Sequence, residues 1–439
     1  MTPPVGVRAH NWGASRTERA TGVHHPLVAG VLSIQDGAAW REVVTLDLCT
    51  WGGADAFHRL FEDVATRVGS DREHLLLHLV HTHAGPSMGS EGTDADGADL
   101  IGPYREQLAA AIAAAICRAR ATATDAVLTW AYGTCTMATN RDLPCADRDL
   151  VGFAPEEPAD GTLLVGRISG ADGAPLGVLL NYACHPTTLA FENSLLSADY
   201  VGAARAVVEA QTGVPCLFLQ GASGDLAPRD QYRPGTELAD RNGRSLGHAA
   251  VATLETMGTP GTRLTMRGAV ESGAPLAIWD EEAYDVPDAA RFDGRPVELA
   301  CRPPMSEEEI RERWAGIDPV AAAERLARAQ RLTAGYDVDG RAQHEVSVWV
   351  LGVAVLVSHA GEAYSELQTE LRRRHPDRAI AVLNLTNGPV SMYLPTREAY
   401  RRNRYQVWQS RLEEGSLERL IDEVDARIRA LTAEGEAQK

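Results

Sequence analysis

Short apolar runs alternate along the chain with longer, alanine-rich stretches of helical character. The runs Val43–Leu48, Leu75–Val80, Val178–Ala183, Cys216–Leu219, Val353–Val357 and Ile380–Leu383 are nearly continuous. Runs of this kind predict strands buried on both faces rather than strands with one wet face. The stretches Tyr104–Ala121, Ala203–Gln211, Glu362–Arg373 and Leu417–Leu431 predict helices. Ser306-Glu307-Glu308-Glu309 fits a capping box, and the helical pattern after it runs toward Ala334 with a break near Pro319. Strand and helix signals in this order predict an α/β fold, a mixed and largely buried β-sheet flanked by helices.

No internal repeat or low-complexity linker divides the chain, so residues 1–439 are expected to form one domain. Residues from about 276 to 341 are more acidic and polar than their surroundings. They read equally as a lid or insertion over a site and as a solvated helical excursion.

Charge then narrows the partners. With 42 basic and 60 acidic residues the net charge is −18, which argues against nucleic acid and anionic membrane. The sole lysine is Lys439, at the last position. That removes P-loop, Schiff-base and protein-kinase chemistry, each of which needs a lysine amine. Seven scattered cysteines without a CxxC fit a reducing compartment. Neither a signal peptide nor an apolar span of ~20 residues is expected, so the setting is read as cytoplasmic, without integral membrane contact. A homo-oligomer is left open. Aromatic residues make up 6%, and composition shows no stacking platform.

The chemistry lies just past the strands, where α/β sheets bind ligands. Leu75–Val80 leads into His81-Thr82-His83-Ala84-Gly85-Pro86. In extended chain, residues two apart share a face, so His81 and His83 can converge; His74 and His78 read as structural. Val178–Ala183 leads through Cys184 to His185-Pro186-Thr187. Cys216–Leu219 leads to Gly221-Ala222-Ser223-Gly224-Asp225. This resembles a nucleophile elbow except that Asp225 stands where glycine is required. Val353–Val357 leads to Glu362, either a helix-start residue or a carboxylate ligand. Ile380–Leu383 leads toward Tyr393 and Tyr405, which flank an arginine-rich segment. Asp47 and Asp199, near other strand ends, are candidates to orient ligands from behind.

Taken together, these segments resemble the catalytic domain of the neutral (non-lysosomal) ceramidase family. The resemblance rests on Gly22-Val23-His24-His25-Pro26-Leu27, His81-Thr82-His83-Ala84-Gly85-Pro86, Asn140-Arg141 and Asn181 through Thr187. It continues with Ser197-Ala198-Asp199-Tyr200, Gly224 through Pro228, Gly361-Glu362, and Gly388 through Tyr405, in family order. The likeness is nearest to short bacterial ceramidase-like proteins without the C-terminal immunoglobulin-like domain. It implies Zn2+ held by His81, His185, Glu362 and Tyr393, with His83 unligated beside it. Tyr405 falls at a second site tyrosine, and Arg141 at an arginine facing the substrate. The family hydrolyses the amide of N-acylated sphingoid bases. Ala227 stands where ceramidases carry a serine, so no serine nucleophile is inherited there.

The expected activity is therefore zinc-dependent hydrolysis of an amide (N-acyl) bond in a small molecule by metal-activated water. His83 is the expected acid/base, with Tyr405 and Arg141 as oxyanion donors. The alternatives are a serine esterase or lactonase using Ser223, and a non-catalytic binding protein on a ceramidase-like frame. A deep apolar channel beside the metal would indicate a fatty acyl chain; a small polar bowl would indicate a compact metabolite.

Overall fold

The apolar runs resolve into three sheets in the computed structural model, which describes residues 1–15, 17–284, 290–332, 337–388 and 392–436. Lys439, the end of the helical pattern at 333–334, and residues 285–289 and 333–336 of the acidic segment lie outside the described residues. So do residues 389–391 of the segment Gly388 through Tyr405.

The first sheet has the order β1 (Ala29–Asp36), β2 (Ala39–Leu46), β3 (Leu75–Leu79). The second contains β4 (Ala126–Thr134), β5 (Thr162–Gly170), β6 (Pro175–Tyr182) and β7 (Cys216–Gln220), each beside the next. The third contains β8 (Ala290–Asp293), β9 (Val346–Leu351), β10 (Ala354–His359) and β11 (Ala379–Leu383), likewise in sequence. Each sheet is antiparallel until its last pair. The pairs β2/β3, β6/β7 and β10/β11 are parallel. A parallel pair needs a crossover, usually a helix. Helix α1 (Ala54–Val68), helix α3 (Tyr200–Thr212) and the Glu366–Arg374 helix supply them. Each crossover unit thus delivers two strand carboxyl ends to the same edge.

The alternation inside the runs explains why they read as continuous. In β2 and β3, Val44, Leu46, Leu75, Leu77 and Leu79 pack against α1 and α2 (Ile101–Ala121). In β6 and β7, Val178, Leu180, Tyr182, Cys216 and Phe218 pack against α3 and α4 (Glu237–Glu255). Val355, Val357, Ile380 and Val382 face the Glu366–Arg374 and Ser416–Glu436 helices. The intervening residues, among them Val43, Leu76, Leu179, Leu219, Leu356 and Leu383, meet in one layer between the sheets. Both faces of each strand are therefore dry, and each fully buried Leu or Val contributes ~1.5–3 kcal/mol.

The expected mixed α/β class holds, with the sheet divided into three. Strand ends agree with expectation to within a few residues, and the Ser306–Glu309 capping box forms. The break near Pro319 is a helix start, with Pro319 opening the Pro319–Arg331 helix. Helix α4 buries one stripe, from Ala239 to Thr253, made largely of small residues. A Cβ on Gly243 would lie 2.2 Å from the Tyr200 carbonyl oxygen. The acidic segment is not a simple helical excursion. It holds most of the second strand (Pro275–Ala283) of an antiparallel hairpin whose first strand, Thr262–Glu271, precedes it, together with further strands and two helices. Among the described residues, no helix is long and apolar enough to cross a membrane.

Candidate metal centre and active site

The edge where the three crossover units end gathers the polar residues of the motifs. His81 follows β3, His185 follows β6, and Glu362 follows β10. Their terminal atoms meet: His81 Nε2 lies 3.1 Å from His185 Nε2 and 3.3 Å from Glu362 Oε2, and His185 Nε2 lies 3.1 Å from the same oxygen. Tyr393 completes the group, its hydroxyl 3.4 Å from His185 Nε2. Glu362 and Tyr393 are directly paired, because the short strands Glu362–Ala363 and Tyr393–Leu394 run parallel in that register. All four side chains are buried.

Glu362 thus sits in a strand and not at a helix start, as the helical signal from Glu362 had suggested. The helix begins four residues later, at Glu366. Gly224 packs against this strand so closely that a Cβ would come within 2.9 Å of the Glu362 carbonyl oxygen. The small residue is required by the close approach.

His81 and His83 do converge, with ring centroids 4.9 Å apart. The cause is not extended alternation. Strand β3 ends at Leu79, and His81 adopts a left-handed backbone with φ 73°. A non-glycine residue held there costs ~1–3 kcal/mol, a strain typical of functional positions. His74 and His78 stay out of the site. His74 contacts Asp71, and buried His78 contacts Thr386 and accepts the Gln220 N–H.

The ligand rings are held from behind by main chain, not by the expected carboxylates. His81 Nδ1 lies 2.7 Å from the Cys49 carbonyl, and His185 Nδ1 lies 2.7 Å from the Ser223 carbonyl. Cys49 follows β2 and Ser223 follows β7, so each support comes from the strand paired with the ligand's own. Asp47 instead pairs with Arg205, and Asp199 caps α3 and accepts the Leu189 N–H. Both are occupied in structural roles away from the ligand rings.

These contacts have an electrostatic consequence. Each Nδ1 donates to a carbonyl, so neutral rings turn bare Nε2 lone pairs toward one another. A proton or a cation has to lie between them. Without a cation, burial lowers the His81 pKa, but Glu362 and Cys49 together outweigh burial and raise it to about 10. Burial raises Glu362, yet the two imidazoles hold it well below the usual carboxylate range. Burial and Arg141 lower His185 to about 3. Donors ~2.0–2.1 Å from a tetrahedral zinc would stand about 3.3 Å apart. The observed 3.1–3.3 Å spacing and the mixed N/O donor set fit such an ion.

His83 lies beside this group. Its Nε2 is buried and lacks a hydrogen-bond partner, while Nδ1 contacts the Asn11 carbonyl at 3.3 Å. Burial, reinforced by His81 and His185, holds its pKa well below the ordinary value. Arg141 donates to the Tyr393 hydroxyl at 3.0 Å and twice to the Gly224 carbonyl. Tyr405 packs edge-on against Tyr393 with centroids 5.9 Å apart. Ser223 is 1% exposed, and its hydroxyl accepts from Gln220 Nε2. Ala227 is buried in a short strand paired with Thr139.

The group forms the floor of a cavity of about 350 Å³ that His83, Arg141 and Tyr405 also line. Further wall residues were not marked by the motifs: Trp12, Tyr232 and, from the Pro319–Arg331 helix, Glu324, Arg328 and Arg331. The acidic segment therefore reaches the site through that helix. Trp12 lies 4.8 Å from His83 and 5.8 Å from Tyr232 between ring centroids. The low aromatic content is thus concentrated where composition could not show it. A separate group, His24, His25 and Asp240, lies partly exposed.

Comparison with solved structures places this architecture. A ceramidase complexed with C2 superimposes with a TM-score of 0.63 at 15% identity, covering 97% of this chain and 72% of that one. The neutral ceramidase from Pseudomonas aeruginosa gives a TM-score of 0.63 at 17% identity, with 97% and 71% covered. The chain has the neutral ceramidase fold. No family model and no curated protein matches the sequence. At this identity the neutral ceramidase likeness speaks for architecture, and the chemistry has to be argued from the side chains.

Proposed function

We propose that the protein is a zinc-dependent hydrolase that cleaves the amide (N-acyl) bond of a small molecule. The observation that carries the reading is the meeting of His81, His185 and Glu362 donor atoms within 3.1–3.3 Å of one another at the floor of an open cavity. His81, His185, Glu362 and Tyr393 would hold the ion. When bound, zinc supplies Lewis acidity toward the carbonyl and lowers the pKa of coordinated water to ~7.

The chain's own groups do the rest. His83 Nε2, neutral and without a partner, takes the proton from the water that attacks the carbonyl carbon. It returns that proton to the nitrogen as the carbon–nitrogen bond breaks. Arg141 and Tyr405 stand where they can donate to the oxyanion. Arg141 is fixed by its bonds to Gly224 and Tyr393, so it needs no reorganisation. The route uses no serine, which suits Ala227 and the sequestered Ser223 hydroxyl. The buried free thiols Cys49, Cys135, Cys184 and Cys216 support a cytoplasmic setting.

Metal analysis of the purified protein, with His81→Ala and His185→Ala, tests the reading. Near-stoichiometric zinc in the wild type, and loss of zinc and amidase activity in both variants, is expected. Activity that survives both substitutions and chelation would falsify it. Stoichiometric zinc with no turnover on a broad N-acyl panel would favour the binding-protein alternative.

A further inference from the structure

The cavity wall says something about the substrate that the metal group does not. Two guanidinium groups line it without a carboxylate partner. Arg141 is satisfied only by the Gly224 carbonyl and the Tyr393 hydroxyl. Arg328, on the Pro319–Arg331 helix, has no hydrogen bond or ion pair among the described residues. The nearest candidate on its own helix, Glu324, is bound to Arg331 at 2.9 Å. Glu362 is engaged by the two histidines. The half-buried Arg328 guanidinium feels the charges of Glu362 and Glu324 through space but pairs with neither among the described residues, and arginine is suited to gripping carboxylates through two parallel bonds.

The rest of the wall is equally selective. Its aliphatic lining is Val151 and Leu332; the remainder is polar, aromatic or glycine. A long acyl chain gains about 0.8 kcal/mol per methylene against apolar surroundings, which here are five aromatic rings and two aliphatic side chains around one small cavity. A cavity of about 350 Å³ lies at the small end of ligand pockets.

We propose that Arg328 forms an anion subsite beside the metal centre, and that the substrate is a compact amide bearing a free carboxylate, such as a short N-acyl amino acid. The inference rests on the amidohydrolase reading for its reaction but not for its recognition, and the two can fail separately.

The test uses the zinc-loaded protein with matched pairs: N-acetyl amino acids and their C-terminal primary amides. The kcat/KM of each acid should exceed that of its neutral twin at least tenfold, through KM. Arg328→Gln should bring the ratio close to one, and Arg328→Lys should retain part of it. Calorimetric titration of N-acetylglycine into wild type and Arg328→Gln gives a readout independent of turnover. Any zinc–carboxylate contact is common to both proteins, so a tenfold weakening isolates the guanidinium. Circular dichroism establishes that the variants fold.

Arginine-dependent binding without hydrolysis of any pair would keep the subsite and remove the amidohydrolase. Hydrolysis without preference for acids, or a preference that survives Arg328→Gln, would keep the amidohydrolase and overturn the subsite. No binding and no hydrolysis overturns it as well. Weakened zinc binding in Arg328→Gln with the acid preference intact would assign Arg328 to Tyr393 instead, and also overturns it.

Discussion

The floor and the outer wall of the cavity are built on different principles. On the floor, His81, His185, Glu362, Tyr393 and Arg141 are each no more than 4% exposed. His81 and His185 follow strands of the sheets, Glu362 and Tyr393 lie side by side in two short paired strands, and Arg141 follows the short strand Ala138–Asn140; their polar atoms have partners in main chain or in one another. On the outer wall, Trp12, Tyr232 and Arg328 are half-buried and come from outside the three sheets. Trp12 meets His83 and Tyr232 ring against ring, and Arg328 pairs with no carboxylate among the described residues. Parallel strand pairs hold the four candidate ligands, and an antiparallel pair holds Arg141. The wall is carried by an N-terminal segment, a loop and one helix, so it can vary without disturbing the ligands. Under the proposed function, reaction type would be set by the sheets, and substrate choice by what is laid over them.

Perturbing the floor should have the largest effect. His185→Ala should abolish stoichiometric zinc and reduce turnover by about 10⁴-fold or more, roughly 5.5 kcal/mol. Metal content and amidase rates measured side by side check this; a fall in rate with zinc retained would break the link between floor and chemistry. Next is metal removal. Zinc at 1,000 times its Kd should stabilise the fold by about 4 kcal/mol. Thermal melts with and without chelator read it, and an unchanged Tm would mean the donors are not a binding site. His83→Gln comes third, at about 10²–10³-fold in kcat, the ordinary range for a lost acid/base. Zinc content should persist, because His83 lies beside the ligands and not among them. Loss of zinc in this variant would move His83 onto the floor. The wall variant Arg328→Gln follows, with its roughly tenfold loss of acid preference (~1.4 kcal/mol).

The sequence exposed the floor better than the wall, for physical reasons. Continuous apolar runs mark strands because both faces of each strand are dry. A histidine or glutamate just past such a run is conspicuous, and three of these ends meet. The supports were invisible, since a carbonyl at Cys49 or Ser223 has no side-chain signature; Asp47 and Asp199 were more visible and do other work. The convergence of His81 and His83 was anticipated for the wrong reason, as the left-handed His81 shows. Arg328 was unreadable. It is one of three arginines, with Arg325 and Arg331, spaced three apart on one helix. Only tertiary packing separates them: Arg325 stacks 4.1 Å over the Trp314 ring, Arg331 pairs with Glu324, and Arg328 is left facing the cavity.

The smallest effect offers the finest test of the wall. Among the described residues lining that side, Glu324 is the one carboxylate, and it offsets Arg331. Glu324→Gln removes one negative charge near the anion subsite without touching the donors on the floor. At ~8–10 Å and an effective dielectric constant of ~40, a unit charge is worth about 1 kcal/mol or slightly less. The acid-to-amide ratio of kcat/KM should therefore rise by about two- to fivefold. The gain should shrink as salt is raised from 0.05 to 0.5 M, since a partly exposed wall is screened. A fall in the ratio would reverse the argument. Glu324 would then be the recognising group, the substrate would carry a cation, and the wall would have to be read with the opposite sign.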